Sequence, residues 1–242
     1  MGNVIGYLTY DGKDSRDFGV IVSSVGTHNA PKRVVEEVAI PGRNGTLTID
    51  GGRFENITIS YIAMIMRDFP KRFDEFKAFL MSHKGYKRLE DSFSPEYYRL
   101  AKIHDEINPS VVTWDAAGKF EIPFDCDPRR FLKDGEEPIA IDGTDTVYNP
   151  TYFDAKPLLR INIVNPLMPC NVVINGKTIG IDATVSSHIV IDLETMNAYN
   201  GSINMNDKVS IPDGVALKPG DNIITVGSNI GELTITPRWW TV

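Results

Sequence analysis

Cysteine, long apolar runs and an excess of basic charge are all scarce in this sequence, and each shortage removes a class of protein. The two cysteines, Cys126 and Cys170, lie far apart without a CxxC spacing. Their number excludes a zinc site built from cysteines, and two buried thiols in a reducing compartment are expected. A disulfide between them stays open at this point. The longest uninterrupted apolar run is Tyr61 to Met66, far short of the roughly 20 residues that cross a bilayer. No membrane association is therefore expected. The net charge of −7 argues against a general binder of nucleic acid, whose affinity comes from basic residues that displace counterions. The opening "MGNVIGYLTYDGKDSRDF" has neither a basic start nor a continuous apolar segment, so no secretory signal is expected.

Catalytic and metal-binding motifs are missing too. His28, His83, His104 and His188 are isolated from one another, with no HExxH or paired spacing. There is no GxSxG nucleophile elbow. The acidic pairs Glu36-Glu37, Glu90-Asp91, Asp105-Glu106 and Glu136-Glu137 are adjacent residues. On a strand neighbours point to opposite faces, whereas glycosidase chemistry needs two carboxylates facing across a cleft. No enzyme activity, cofactor or metal is expected.

What is present is a β-rich pattern in two parts. Apolar residues make up 42% and charged residues 24% of the 242 positions, as in a globular chain. Charge is uneven: residues 1–142 hold 19 Lys/Arg and 23 Asp/Glu, and residues 143–242 only 6 and 9. Between the parts lies "KDGEEPIAIDGTDTVYNPTYFDAKP", punctuated by Pro138, Pro150 and Pro157. The expected division is a β-domain over 1–140, a linker over 141–157 and a second β-domain over 158–242.

In the first part, "DFGVIVSSV", "KRVVEEVAI" and "GTLTIDGGRFENITISYIAMIM" read as strands. One stretch departs from that pattern. Phe69, Phe73, Phe76, Phe79 and Leu80 recur at spacings of 3 and 4, which predicts an amphipathic helix near 69–84. Asp68 is the expected N-cap, Pro70 falls in the first turn and Gly85 is the expected C-cap. Phe120, Ile122, Phe124 and Cys126 share one strand face, and Pro123 on the other points to an edge strand. The second part is all short strands with turn signals at Asn175-Gly176 and Asn200-Gly201, the rhythm of a sandwich.

The glycine-rich stretch "AIPGRNGTLTIDGGRFENITISY" is the most pointed feature. It is not a phosphate loop, because Gly42-Arg43-Asn44-Gly45 lacks a trailing Gly-Lys-Ser/Thr and is followed by a strand rather than a helix. Asn44-Gly45 is expected to form a tight hairpin turn and Gly51-Gly52 a second one, giving consecutive hairpins. Trp239 and Trp240, beside Arg238, admit a sugar-stacking role, against a structural one in which one closes the core and the other covers its edge.

Taken in order, several motifs resemble the distal tail protein family of long-tailed, non-contractile bacteriophages. They are Asp17-Phe18-Gly19-Val20, Ile40-Pro41-Gly42-Arg43-Asn44-Gly45, the Phe-striped helix, Arg88-Leu89-Glu90-Asp91 and Glu96-Tyr97-Tyr98-Arg99-Leu100-Ala101-Lys102. Phe120 to Pro128, Leu217-Lys218-Pro219-Gly220-Asp221-Asn222 and Pro237-Arg238-Trp239-Trp240 follow. The resemblance implies a mainly β protein: an N-terminal β-sandwich or barrel-like domain with one amphipathic helix, then a C-terminal galectin-like β-sandwich. It further implies a structural virion protein at the distal end of the tail, made in the host cytoplasm. Such a protein forms a homohexameric ring that joins the tail tube protein to the tail-tip hub and can carry a receptor-binding protein. DNA would pass through the lumen without specific binding, which suits an acidic chain. A ring needs a heterologous contact, and Pro41, Gly42, Arg43, Asn44, Gly45, Thr46, Leu47 and Thr48 are the expected inter-subunit contact. The rival readings are a carbohydrate-binding adhesion protein using the C-terminal sandwich and a cell-wall hydrolase with acids brought together by the fold.

Overall fold

The aromatic stripe folds as its spacing predicts. In the computed structural model, which describes residues 6–26, 29–113, 116–183 and 186–242, helix α1 (Phe69–Ser82) buries Phe69, Phe73, Phe76 and Leu80. His28 lies outside the described residues. Both expected caps differ in detail. Asp68 stands at the N-cap, but its backbone is left-handed (φ 53°) and its side chain makes no capping bond. An N-cap side chain reaches the first free N–H groups from an extended backbone, which Asp68 does not adopt. The helix ends at His83 rather than at Gly85. The His83 imidazole closes that end itself: Nδ1 lies 2.8 Å from the Phe79 carbonyl, and Nε2 lies 3.2 Å from Asp11 Oδ2.

The chain divides into two compact units, Met1–Arg130 with Val242, and Phe131–Thr241. The first unit is built on β1 (Leu8–Tyr10), β2 (Lys13–Asp14), β3 (Val20–Val25), β4 (Arg33–Ala39), β5 (Thr46–Phe54), β6 (Ile57–Ile65), β7 (Lys87–Asp91), β8 (Tyr97–Lys102), β9 (Pro109–Thr113) and β10 (Ala117–Leu132). Its large sheet runs β2-β1-β7-β8-β10-β6-β3. The alternation of β6 and β10 places Ile57, Ile59, Tyr61, Ala63 and Ile65 opposite Cys126, Phe124, Ile122, Phe120 and Gly118 in register. These residues meet the aromatic face of α1, with Phe73 edge-on to Phe120 at 5.0 Å. β10 is interior, between β8 and β6, so the expectation of an edge strand from Pro123 is corrected. In a strand of 16 residues one proline withdraws one donor, and the rest of the ladder holds the strand in place.

The second unit comprises β11 (Ile139–Ile141), β12 (Thr144–Asn149), β13 (Leu158–Ile163), β14 (Cys170–Ile174), β15 (Lys177–Ile181), β16 (His188–Asp192), β17 (Asn197–Asn200), β18 (Ile203–Asn204), β19 (Val209–Ser210), β20 (Gly220–Val226) and β21 (Ile230–Thr236). One sheet runs β11-β21-β13-β16-β17-β18 and the other β12-β20-β14-β15-β19. Ile161, Ile191, Leu233 and Ile235 of the first pack with Val172, Ile174, Ile179 and Ile224 of the second in one core, which is a β-sandwich. The expected linker 141–157 is corrected, because β12 and the end of β11 are sheet strands. Pro138, Pro150 and Pro157 flank strands, where a missing N–H costs no ladder bond. The Asn175-Gly176 turn forms as expected, with φ of 50° and 78° and Ile174 paired to Lys177. The second predicted turn shifts by one: Asn200 pairs with Ile203, leaving Gly201-Ser202 at its centre.

Asn222 is fully buried, and its carboxamide ties three segments together. Nδ2 donates to the carbonyls of Val147 (3.2 Å), Lys218 (2.8 Å) and Gly220 (2.9 Å), and Oδ1 accepts from Asn175 Nδ2 (2.7 Å) and Lys218 N–H (2.7 Å). Asn222→Leu is expected to lower unfolding stability by about 2 kcal/mol, because it leaves several buried groups without partners. Chemical denaturation checks this.

Asp192 and Arg238 form a two-pronged ion pair at 2.7 and 3.2 Å. Burial pushes the Asp192 carboxyl up, but the hydrogen bond and charge of Arg238 outweigh it and hold the carboxyl below its ordinary value of 3.8. A lowered carboxylate adds stability that is complete above that ordinary value and fades as pH falls through the folded one. The melting temperature is therefore expected to drop as pH falls below the ordinary value of 3.8, and less steeply in Asp192→Asn.

Candidate functional site

Among the described residues β4 and β5 pair only with each other, as a two-stranded sheet separate from the large one. Ala39 stands opposite Thr46, and the chain between them turns at Ile40-Pro41-Gly42-Arg43, where Arg43 N–H donates to the Ile40 carbonyl at 3.1 Å. The tight turn is thus Pro41-Gly42 rather than Asn44-Gly45. Proline presets the second position of a type II turn, and Gly42, at φ 80°, supplies the left-handed third. The expected second hairpin is also corrected. β5 runs straight through Gly51-Gly52, which form a bulge: Arg33 pairs with Phe54 and Val35 with Asp50, so the register shifts between them. Gly52 adopts φ 68° there, and its N–H is held by Asp50 Oδ1 at 2.9 Å.

Every residue from Pro41 to Thr48 is exposed. So are most residues of the arm, including Val35, Val38, Ile40, Leu47 and Ile49, which are 37–49% exposed. Cross-strand partners share a face. Glu36 faces Ile49 and Val38 faces Leu47, so one face carries Val34, Glu36, Val38, Leu47 and Ile49. The other carries Val35, Glu37, Thr46, Thr48 and Asp50, with Arg33 bonded to Asp50 at 2.7 Å. A lone two-stranded ribbon with an apolar face has too little contact to be stable by itself, and its edges are templates for another chain.

A concave site in the first unit was not anticipated. It has a cavity of about 290 Å³, and Tyr61, Asp91, Tyr97, Arg99 and Arg130 are among the residues that line it. The Asp91 carboxylate is engaged on both oxygens: Oδ2 accepts the Tyr61 hydroxyl at 2.7 Å, and Oδ1 accepts the N–H groups of Phe93 and Ser94. Burial raises the Tyr61 hydroxyl well above its ordinary range, so it stays a donor. Among the described residues Arg99 Nη1 reaches only the Pro128 carbonyl, at 3.5 Å. Burial is the main cause that lowers its pKa, and the nearby Arg130 charge adds to it. Arg130 lies over the Tyr97 ring at 4.1 Å. The signal in sequence was an arginine on the inward face of a strand, Arg99 standing opposite Leu89.

The tryptophans are not set out for sugar. Trp239 is 4% exposed, inside the sandwich core. Trp240 stacks on Phe153 at 4.3 Å and donates its indole N–H to the Asp154 carbonyl at 2.9 Å. Cys126 and Cys170 are free and buried, and burial pushes the Cys126 thiol up to about 12. Such a thiol is protonated and unreactive at neutral pH.

The architecture is therefore a helix-backed β-unit with a projecting arm, followed by a β-sandwich. Solved structures of phage hub and baseplate proteins share this fold. The SPP1 Dit (gp 19.1) protein, described as a paradigm of the hub adsorption apparatus in phages infecting Gram-positive hosts, aligns with a TM-score of 0.79 over 98% of this chain and 100% of that one, at 14% identity. A chain of the phage P2 baseplate in its activated conformation with Ca aligns at 0.55, covering 96% and 97% at 12% identity. No protein-family profile matches the sequence, and no curated protein resembles it significantly in sequence. The chain has the fold of these phage hub and baseplate proteins.

Proposed function

We propose that this protein is a structural hub component at the distal end of a phage tail. In this reading it assembles through its arm into a homohexameric ring that joins the tail tube protein to the tail-tip hub, offers a platform to receptor-binding parts, and lets DNA pass through its lumen. It carries out no catalysis. The observation that carries this reading is the match of the whole chain to a tail hub protein, both β-units included. The exposed arm adds to it, since a closed ring requires one patch of a subunit to meet a different patch of the next. Residues Pro41 to Thr48 are the proposed contact, with Arg43 at the tip. Six copies of a 26.9 kDa chain would give a particle of roughly 160 kDa. Light scattering is expected to find that mass for the purified chain, alone or with the tail tube protein. A monomer under both conditions would reject the ring, and intact hexamers after deletion of residues 41–48 would reject the arm.

A further inference from the structure

We propose that the cavity bearing Arg99 and Arg130 seats the Glu36 carboxylate of a neighbouring copy, so that the arm docks by its apolar face around one ion pair. This rests on the self-association reading above and names its acceptor.

The case begins on the arm. On its face Glu36 stands among the apolar side chains of Val34, Val38, Leu47 and Ile49. It has no ion pair among the described residues, and covering that face with protein would strip its water. An isolated carboxylate taken from water costs several kcal/mol unless a cation meets it. The apolar face and its central acid therefore call for a surface with a positive centre.

The cavity is such a surface. Arg99 and Arg130 have no ion pair among the described residues, whereas Arg88 is paired with Glu90 and Arg129 with Asp127. Asp91, held by Tyr61 and two backbone N–H groups, makes no ion pair with either among the described residues; its charge offsets part of theirs and leaves the two guanidiniums in excess. A guanidinium presents its donors in a planar fork that matches a carboxylate. Tyr97, under Arg130, fixes that fork in place.

Among the described residues the two halves do not meet within one chain. Asn29 and Ala30, just before the arm, line the cavity, and Glu36 stands six residues beyond Ala30, about 20 Å along an extended strand. Acid and arginines thus sit on different parts of the surface, and their pairing is heterologous, the kind that closes a ring.

A double-mutant cycle on the full chain tests this, with self-association measured by sedimentation over a concentration series. Arg130 is used because replacing the more enclosed Arg99 risks misfolding. Glu36→Ala and Arg130→Ala are each expected to weaken association about 10- to 100-fold at an unchanged melting temperature. The double variant is expected to be no weaker than the worse single, and Glu36→Arg with Arg130→Glu to recover part of the loss. Additive effects, or association indifferent to both residues, overturn the pairing and leave the ring standing. A wild-type chain that is monomeric at every concentration overturns both.

Discussion

Replacing Leu47 and Ile49 by aspartate is expected to abolish self-association while leaving the melting temperature of the chain within a few degrees of wild type. The two outcomes diverge because of where the residues sit. Leu47 is 45% and Ile49 49% exposed, on a ribbon that belongs to neither core. Substitutions at such positions typically change stability by less than about 0.5 kcal/mol. If that face is covered in the assembly, each aspartate places a further carboxylate in an apolar contact, away from the arginine cavity that seats Glu36. At several kcal/mol of desolvation per charge, the dissociation constant should rise at least about a thousandfold. Thermal unfolding and light scattering on the same sample separate the effects. An associated double aspartate variant would show that the arm's apolar face is not the contact, and a large fall in melting temperature would show that the arm is part of the fold. Val35→Asp and Ala39→Asp, on the opposite face and outside residues 41–48, serve as the control and are expected to assemble.

The helix and the β character of both units were legible because each rests on a local period. Phe69, Phe73, Phe76 and Leu80 lie on one helical face, and Ile57 to Ile65 alternate as a strand covered on one side. Features set by distant partners were not legible. Pro123 implied an edge, yet β10 is held by neighbours that outweigh one missing donor. Pro138, Pro150 and Pro157 implied a linker, although a proline beside a strand and a proline in a tether look alike until the sheet is known. In the arm, glycine content fixed that the chain must turn but not where. Pro41-Gly42 won over Asn44-Gly45 because proline presets the turn, and Gly51-Gly52 became a bulge because β4 continues past it. The arginine cavity was least visible, since Arg99 on β8 and Arg130 on β10 are brought together by the pairing of those two strands and share no motif.

The cores allow a second large effect to be located. Phe76→Ala is expected to destabilise the first unit by about 3–5 kcal/mol, near the upper end for a single truncation. Phe76 is 1% exposed and lies 5.4 Å from Phe18 and 6.1 Å from Phe120, ring centre to ring centre. Removing it opens a void between helix and sheet that the neighbouring rings cannot fill without leaving their own rotamers. A domain is stable by only about 5–15 kcal/mol, so the loss takes a large share of the total. The sandwich has its own core, built on Leu159, Ile161, Ile174 and Ile235. Calorimetry of Phe76→Ala should therefore show one transition moved down by tens of degrees and a second close to its wild-type temperature, with Ile161→Ala giving the reverse pattern. A single transition shifted equally by both variants would mean that the two cores unfold as one cooperative body. If the first unit carries the arm and the cavity of the ring contact, Phe76→Ala should also lose self-association at temperatures where the sandwich remains folded. Ile161→Ala should keep it.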